Sequence, residues 1–442
     1  MAFPLRRLAC LTVLLALTGL SVAAGPFADD PVSVAGSSSF ASDSSPGEPE
    51  GKPSLWSRFT GAVRNGWSRV TTRLGKAIPD LKVPTSVTNS ARIPGHDGPE
   101  FVCQGICHLP EAVLPPGPIA RPTGPARYVL LSYYPVPEHT DEPSQLVVVE
   151  AATGKAVRRF GLYEGPGRPY TGHAGGVAVA GRYVWVASGW KLYGFGLEEV
   201  LDGLADAGAR PAAAGRKLPA SLRPVPALDL VADRIVEVDS KASFVSFDGT
   251  FLWVGDFVKA SSGSFAPVAH HARNPFGWKT WIAGYRVDAD GLPTTTRTYT
   301  FDDAGQARTG RRPDRLLYCR ESVQGMAVCG SYVALSISYG AMNSKLAFYR
   351  NPFGKAGRQV TCQPAGQETT FKVEAWTLAE GVNWLETVKL PAGAEDLEYD
   401  GRSLYVTFEG GSPNYRQKWL SINPTVSITD CFYVLDPAKE LR

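Results

Sequence analysis

Three stretches, Gly176-Val-Ala-Val-Ala-Gly181, Tyr183-Val-Trp-Val-Ala187 and Leu192-Tyr-Gly-Phe195, decide the fold. Each is a short run of β-branched, aromatic and small apolar residues, and a glycine-centred turn links the first two. Such a turn needs positive φ, which glycine supplies without steric cost. The unit returns three times. Phe244-Val-Ser-Phe-Asp-Gly249 leads to Phe251-Leu-Trp-Val254 and Trp281-Ile-Ala-Gly-Tyr-Arg-Val287. Gly325-Met-Ala-Val-Cys-Gly330 leads to Tyr332-Val-Ala-Leu-Ser336 and Leu346-Ala-Phe-Tyr349. Leu397-Glu-Tyr-Asp-Gly401 leads to Leu404-Tyr-Val-Thr-Phe408 and Phe432-Tyr-Val-Leu435.

A fifth, degenerate copy opens at Gln104-Gly-Ile106 and continues through Tyr128-Val-Leu-Leu-Ser-Tyr133 and Leu146-Val-Val-Val149. Antiparallel units recurring at roughly seventy-residue intervals predict the blades of an all-β, five-bladed β-propeller over residues 99–442. Fourth strands are expected at 156–162, 235–238, 295–301 and 384–390. The chain runs out soon after Leu435, so residues before Gln104 are expected to complete the last blade. Mixing N- and C-terminal strands in one blade removes an exposed edge. One short helix is expected at 197–204.

Outward from the repeats, the N-terminus reads as an export signal over 1–24. Arg6 and Arg7 precede an apolar run from Leu8 to Leu20, and Ser21-Val-Ala-Ala24 offers a small-residue cleavage site. A secreted, extracellular protein follows, without a transmembrane segment in the mature chain. Residues 25–53 are poor in large apolar side chains and predict a disordered linker. Trp56, Phe59, Val63, Trp67, Val70 and Leu74 recur at helical spacing among five cations, predicting a basic amphipathic helix over 54–78. It would dock on the propeller or contact an anionic surface. Residues 79–98 read as a second linker. Six cysteines remain once Cys10 leaves with the signal, and in an exported chain they suggest disulfides. Their spacing and that of the histidines suit no metal site, and no cofactor is expected. A net charge of +3 on 442 residues gives no ground for nucleic-acid binding.

In a propeller, residues entering the first strand and leaving the second strand of each blade meet at one channel mouth. Those positions hold Gln104, Tyr133, Tyr134, His173, Lys241, Glu321, Gln324, Ser338, Tyr339, Asp396, Tyr415 and Arg416 as candidate ligand-binding residues. Tyrosines there would stack on sugars or flat groups, with the amides and Arg416 orienting them. The expected partner is an extracellular glycan, a cell-wall polymer or a protein. The alternative is a carbohydrate-active hydrolase or lyase using Glu395, Glu409 and Asp256, because glycoside cleavage needs two carboxyls in different protonation states. The loop at 258–280, with His270 and His271, is the longest insertion in a blade and could reach over the mouth.

Gln324-Gly-Met-Ala-Val, Ser336-Ile-Ser-Tyr-Gly340 and Ser344-Lys-Leu346 resemble blades of uncharacterised secreted bacterial β-propeller proteins. So do Glu395-Asp-Leu397, Tyr405-Val-Thr-Phe-Glu409 and Asn414-Tyr-Arg416. The resemblance covers the last two blades and implies the fold and an extracellular setting, with no activity attached. In outline the chain also looks like the five-bladed glycosidases. They carry an acid on the first strand of the first blade, where this chain has Gln104.

Overall fold

The repeated hairpins wrap around one axis. The computed structural model describes residues 83–110, 126–136, 142–205, 218–259, 261, 265–267, 276–278, 280–303, 305–362 and 370–441. The signal, the first linker, the basic helix, His270 and His271 lie outside these residues. Among the described residues no helix is long and apolar enough to cross a membrane.

Strand β1 (Val87–Arg92) precedes the first full blade, which holds β2 (Phe101–His108), β3 (Tyr128–Pro135), β4 (Gln145–Glu150) and β5 (Ala156–Gly165), with the short β6 (Arg168–Pro169) beside β5. Blade two begins with β7 (Gly176–Ala180), β8 (Tyr183–Ser188) and β9 (Lys191–Gly196). Helix α1 (Leu197–Ala205) and β10 (Ala227–Val231) follow before its outer strand β11 (Arg234–Glu237). Blade three comprises β12 (Phe244–Phe247), β13 (Phe251–Gly255) and β14 (Thr280–Arg286). A hairpin of β15 (Thr298–Asp303) and β16 (Gln306–Arg311) then precedes the fourth strand, β17 (Arg315–Cys319). Blade four contains β18 (Val323–Cys329), β19 (Tyr332–Ile337) and β20 (Asn343–Arg350). Strands β21 (Arg358–Cys362) and β22 (Phe371–Thr377) interrupt it before β23 (Trp384–Ala392). Blade five is β24 (Ala394–Tyr399), β25 (Leu404–Phe408) and β26 (Cys431–Leu435), with α2 (Pro413–Ile422) between the last two; α3 (Pro437–Glu440) follows.

The five inner strands, β2, β7, β12, β18 and β24, each neighbour the next, and β24 returns to β2. This closed ring establishes a five-bladed propeller. Its closing strand is β1, which pairs antiparallel with β26 from Val87 to Arg92 and lies inside the stretch read above as a second linker. The four turns between first and second strands place Gly181, Gly249, Gly330 and Gly401 at φ of 55°, 91°, 61° and 93°, the conformation the repeat pattern demanded. Other glycines permit close approach at the axis. A Cβ on Gly176 would lie 2.5 Å from the Val245 nitrogen, and one on Gly325 would lie 2.8 Å from the Glu395 oxygen. No side chain fits between those inner strands.

Segments inserted between third and fourth strands cross to the preceding blade. Strand β10 leaves blade two and pairs parallel with β5 of blade one. Strand β22 leaves blade four and pairs parallel with β17 of blade three. The hairpin from blade three reaches blade two through a parallel bridge between Arg311 and Val238. The segment 295–301, expected as the fourth strand of blade three, therefore contributes to this hairpin, and Arg315–Cys319 takes the fourth place. Both segments carry strand-forming residues, and only long-range pairing distinguishes them.

Among the described residues, the six cysteines form no disulfides, contrary to expectation. A bulge at Gln104 flips the alternation of β2, so Cys103 and Cys107 pack on different apolar clusters. Cys319 and Cys362 occupy two further clusters. Burial holds the Cys103 thiol protonated, pushing it up to about 12.

Candidate binding site at the channel mouth

Inner strands bring polar side chains to the mouth through local irregularities. Three carry a register shift, at Gln104, at Gln324 and across Glu395-Asp396. Four are entered through a left-handed residue: Ala174, Ala242 and Ser322 at φ of 50°, 54° and 66°, and Gly393 at 74°. Three non-glycine residues in this region signal strain held by surrounding structure. Serine latches help hold it. Ser132 of β3 donates to the Ala174 carbonyl at 2.8 Å, and Ser336 of β19 donates to the Ala394 carbonyl at 2.9 Å. Each ties a second strand to the next blade's entrance.

Glu395 and Glu409 lie in hydrogen-bonding contact at this mouth. Burial, then mutual repulsion, lifts Glu395 well above the ordinary carboxylate range; burial also lifts Glu409, with the bonds it receives from Gln104 and Tyr415 opposing the shift. A touching pair of buried carboxyls retains a proton between them. Gln104 Nε2 donates to Glu409 Oε2 at 2.9 Å, and Gln324 Nε2 donates to Glu395 Oε1 at 3.2 Å. Tyr415, on α2, bonds to Glu409 and lies 2.8 Å from the Tyr134 hydroxyl. One connected network thus joins blades one, four and five.

Aromatic groups stand at the strand ends that open on the same mouth. Tyr134 stacks on His173, with ring centroids 4.2 Å apart. On blades three and four, Phe257 stacks on Tyr339 at 6.2 Å and meets Phe265 edge-on at 5.1 Å; the Lys259 ammonium lies 5.0 Å from the Tyr339 ring centre. His173, Tyr339 and Phe265 are exposed.

The remaining expected site residues are dispersed. Tyr133 is core, its hydroxyl donating to the Pro94 carbonyl at 2.7 Å, because strand alternation sends its neighbour Tyr134 to the mouth instead. Asp396 lies buried on the axis, where Oδ2 accepts the Ile106 and Val177 amides at 3.2 and 3.1 Å. It ties blade five to blades one and two. Asp256 accepts the backbone amide of Lys241, and burial raises its carboxyl to about 7. The Lys241 ammonium reaches the Ala266 carbonyl at 2.9 Å. Ser338 is buried and accepts from Ser344 at 3.0 Å. Glu321 is half-buried beside the entry to β18. Arg416 follows Tyr415 on α2 but lines a separate lateral cleft.

The opposite mouth, absent from the sequence reading, is a cavity of about 450 Å³ bordered by His108, Phe247, Val328 and Glu398. His108 Nδ1 lies 3.2 Å from Glu398 Oε1. The sequence signal for this site is positional: both residues sit near the far ends of inner strands, just before the turns.

Closed ring, five blades and a polar mouth define the class, a five-bladed β-propeller. Solved structures similar to the chain include a glutaminyl cyclase of Myxococcus xanthus, 9% identical, covering 79% of this chain and 95% of that one with a TM-score of 0.34. U3-55K is 10% identical over 79% of this chain and 98% of its own, with a TM-score of 0.32. BamB from Moraxella catarrhalis is 8% identical over 79% and 99%, with a TM-score of 0.27. No protein-family profile matches the chain, and no curated protein matches it in sequence.

Proposed function

We propose that the protein is exported and binds an extracellular glycan or related wall polymer across this mouth. One observation carries the reading: stacked aromatic groups, Tyr134 on His173 and Phe257 on Tyr339, come from the ends of strands that open on the same mouth as the buried, touching Glu395 and Glu409 carboxyls. Flat rings suit sugar faces, while a pair holding one proton can both donate to and accept from hydroxyls. The Arg6-Arg7 segment and its apolar run support export. The hydrolase reading is less well supported. Glycoside cleavage places its carboxyls about 5–10 Å apart, whereas Glu395 and Glu409 touch.

The test is retention of the full-length protein on a panel of purified polysaccharides, with released reducing ends measured in parallel. Binding without turnover, weakened roughly tenfold by Tyr134→Ala and by Tyr339→Ala, is the expected result. Equal retention of the double variant, or of none of the polymers, would overturn it. Reducing ends that vanish with Glu409→Gln would establish the hydrolase instead.

A further inference from the structure

The seam where β1 closes the ring carries a cleft of about 710 Å³, distinct from the channel. Residues 92–97 form one side, the turn at 153–157 another, and residues 224–226 a third, while Arg416 and Asp430 complete it. Prolines and valines make much of this wall apolar and stiff. Within it, His96 is only 9% exposed, and neither ring nitrogen has a hydrogen-bond partner. Buried polar groups without partners are uncommon and need a reason. Burial, opposed by Asp430, lowers the imidazole to about 4, so it presents one N–H donor and one acceptor.

Charge in the cleft is unevenly satisfied. Asp97 accepts the Ser221 amide at 2.8 Å and its hydroxyl at 2.5 Å. Asp430 pairs with Arg92 at 3.2 Å. The side chains of Arg416 and Lys155 line the same space, and among the described residues neither has a hydrogen bond or ion pair. Two cations unpaired among the described residues, and the buried His96 imidazole, line a concave, partly apolar space of ligand size.

We propose that this seam cleft binds a small molecule bearing an oxyanion, a carboxylate or phosphate, gripped by Arg416 and Lys155 and hydrogen-bonded by His96. The guanidinium fork matches either oxyanion with two parallel bonds, and the ammonium adds a point charge. The ligand's neutral body would lie on the proline-valine wall. This site is independent of the channel mouth.

Isothermal titration of the full-length chain with inorganic phosphate, glucuronate and glucose tests it. At least one anion should bind with a Kd of about 1 mM or tighter, and glucose should not bind measurably. Phosphate alone binding assigns a phosphate group; glucuronate alone assigns a carboxylate. Arg416→Gln should weaken the bound anion roughly tenfold and Lys155→Gln about threefold. His96→Phe keeps the ring but removes both nitrogens and should weaken binding about fivefold; if that variant misfolds, the two exposed cations decide the matter. Failure of both anions to bind, glucose binding equal to theirs, or undiminished binding by Arg416→Gln and Lys155→Gln would overturn the assignment.

Discussion

The two ends of the channel are made by the same five inner strands, and blade five's β24 sends a buried acid to each. Glu395 at the upper end meets another carboxyl, whereas Glu398 at the lower end meets the His108 imidazole. Asp396 lies between them and accepts backbone amides from two other blades. A carboxyl facing a carboxyl must keep a proton, and one facing an imidazole has a basic partner. Identical strand geometry therefore yields an opening that gains charge as pH rises and another held by an acid–base pair. Among the described residues, the stacked aromatic pairs Tyr134–His173 and Phe257–Tyr339 belong to the upper end, which is why ligand binding is proposed there.

Substitutions along β24 break or sharpen this contrast. The largest effect is expected from Asp396→Leu, which leaves two inner-strand amides unpaired and should cost about 2–5 kcal/mol in denaturant unfolding. Asp396→Asn retains an acceptor and should recover most of that loss; equal stability of the Leu variant would show that the axial acid is dispensable. At the lower end, His108→Ala strips the buried Glu398 of its hydrogen-bonding imidazole and should cost about 1–3 kcal/mol, with Glu398→Gln in the same chain restoring part of it. A double-mutant cycle measures that coupling.

The upper pair predicts a pH dependence of a definite sign. The folded values of Glu395 and Glu409 lie above their unfolded ones, so their contribution is complete below the ordinary carboxyl range and fades as pH rises through the raised values. Glu395→Gln replaces the shared proton with an amide donor to Glu409. It should flatten this decline and stabilise the protein by about 1–2 kcal/mol at pH 8, read from denaturation midpoints across pH 4–9. An unchanged slope would mean that the pair does not hold the proton. The smallest change is expected from Tyr134→Phe, which removes one hydroxyl of the network and should alter stability by about 1 kcal/mol or less.

Most of the ring was legible because the blades are local. Gly181, Gly249, Gly330 and Gly401 mark turns whose flanking strands pair with sequence neighbours, so composition and spacing suffice. The parallel crossings were not legible. Nothing in Ala227–Val231 or Phe371–Thr377 says that its partner belongs to another blade, because a strand's own residues encode its pleat and not its neighbour. At the mouth, Gln104, Gln324, Glu395 and Glu409 come together from distant positions because strand ends share a face. Tyr133 and Asp396 show the limit of that reasoning. A single step along the strand moves a side chain from opening to interior, and the bulges that set the phase are invisible locally. His96 lay in a stretch without strand pattern and gave no signal.

The borrowed strands also set an order of assembly. As the chain is made from its N-terminus, blade one keeps a bare edge until β10 arrives, and blade three waits for β22. Blade five is complete only when β26 finds β1, 339 positions earlier in the Arg92–Cys431 pairing. Partial chains thus expose unpaired edges, the surfaces on which intermediates misassociate. Loss of blade two or blade four strands an edge of the blade before it, so these neighbours should unfold together, without stepwise release.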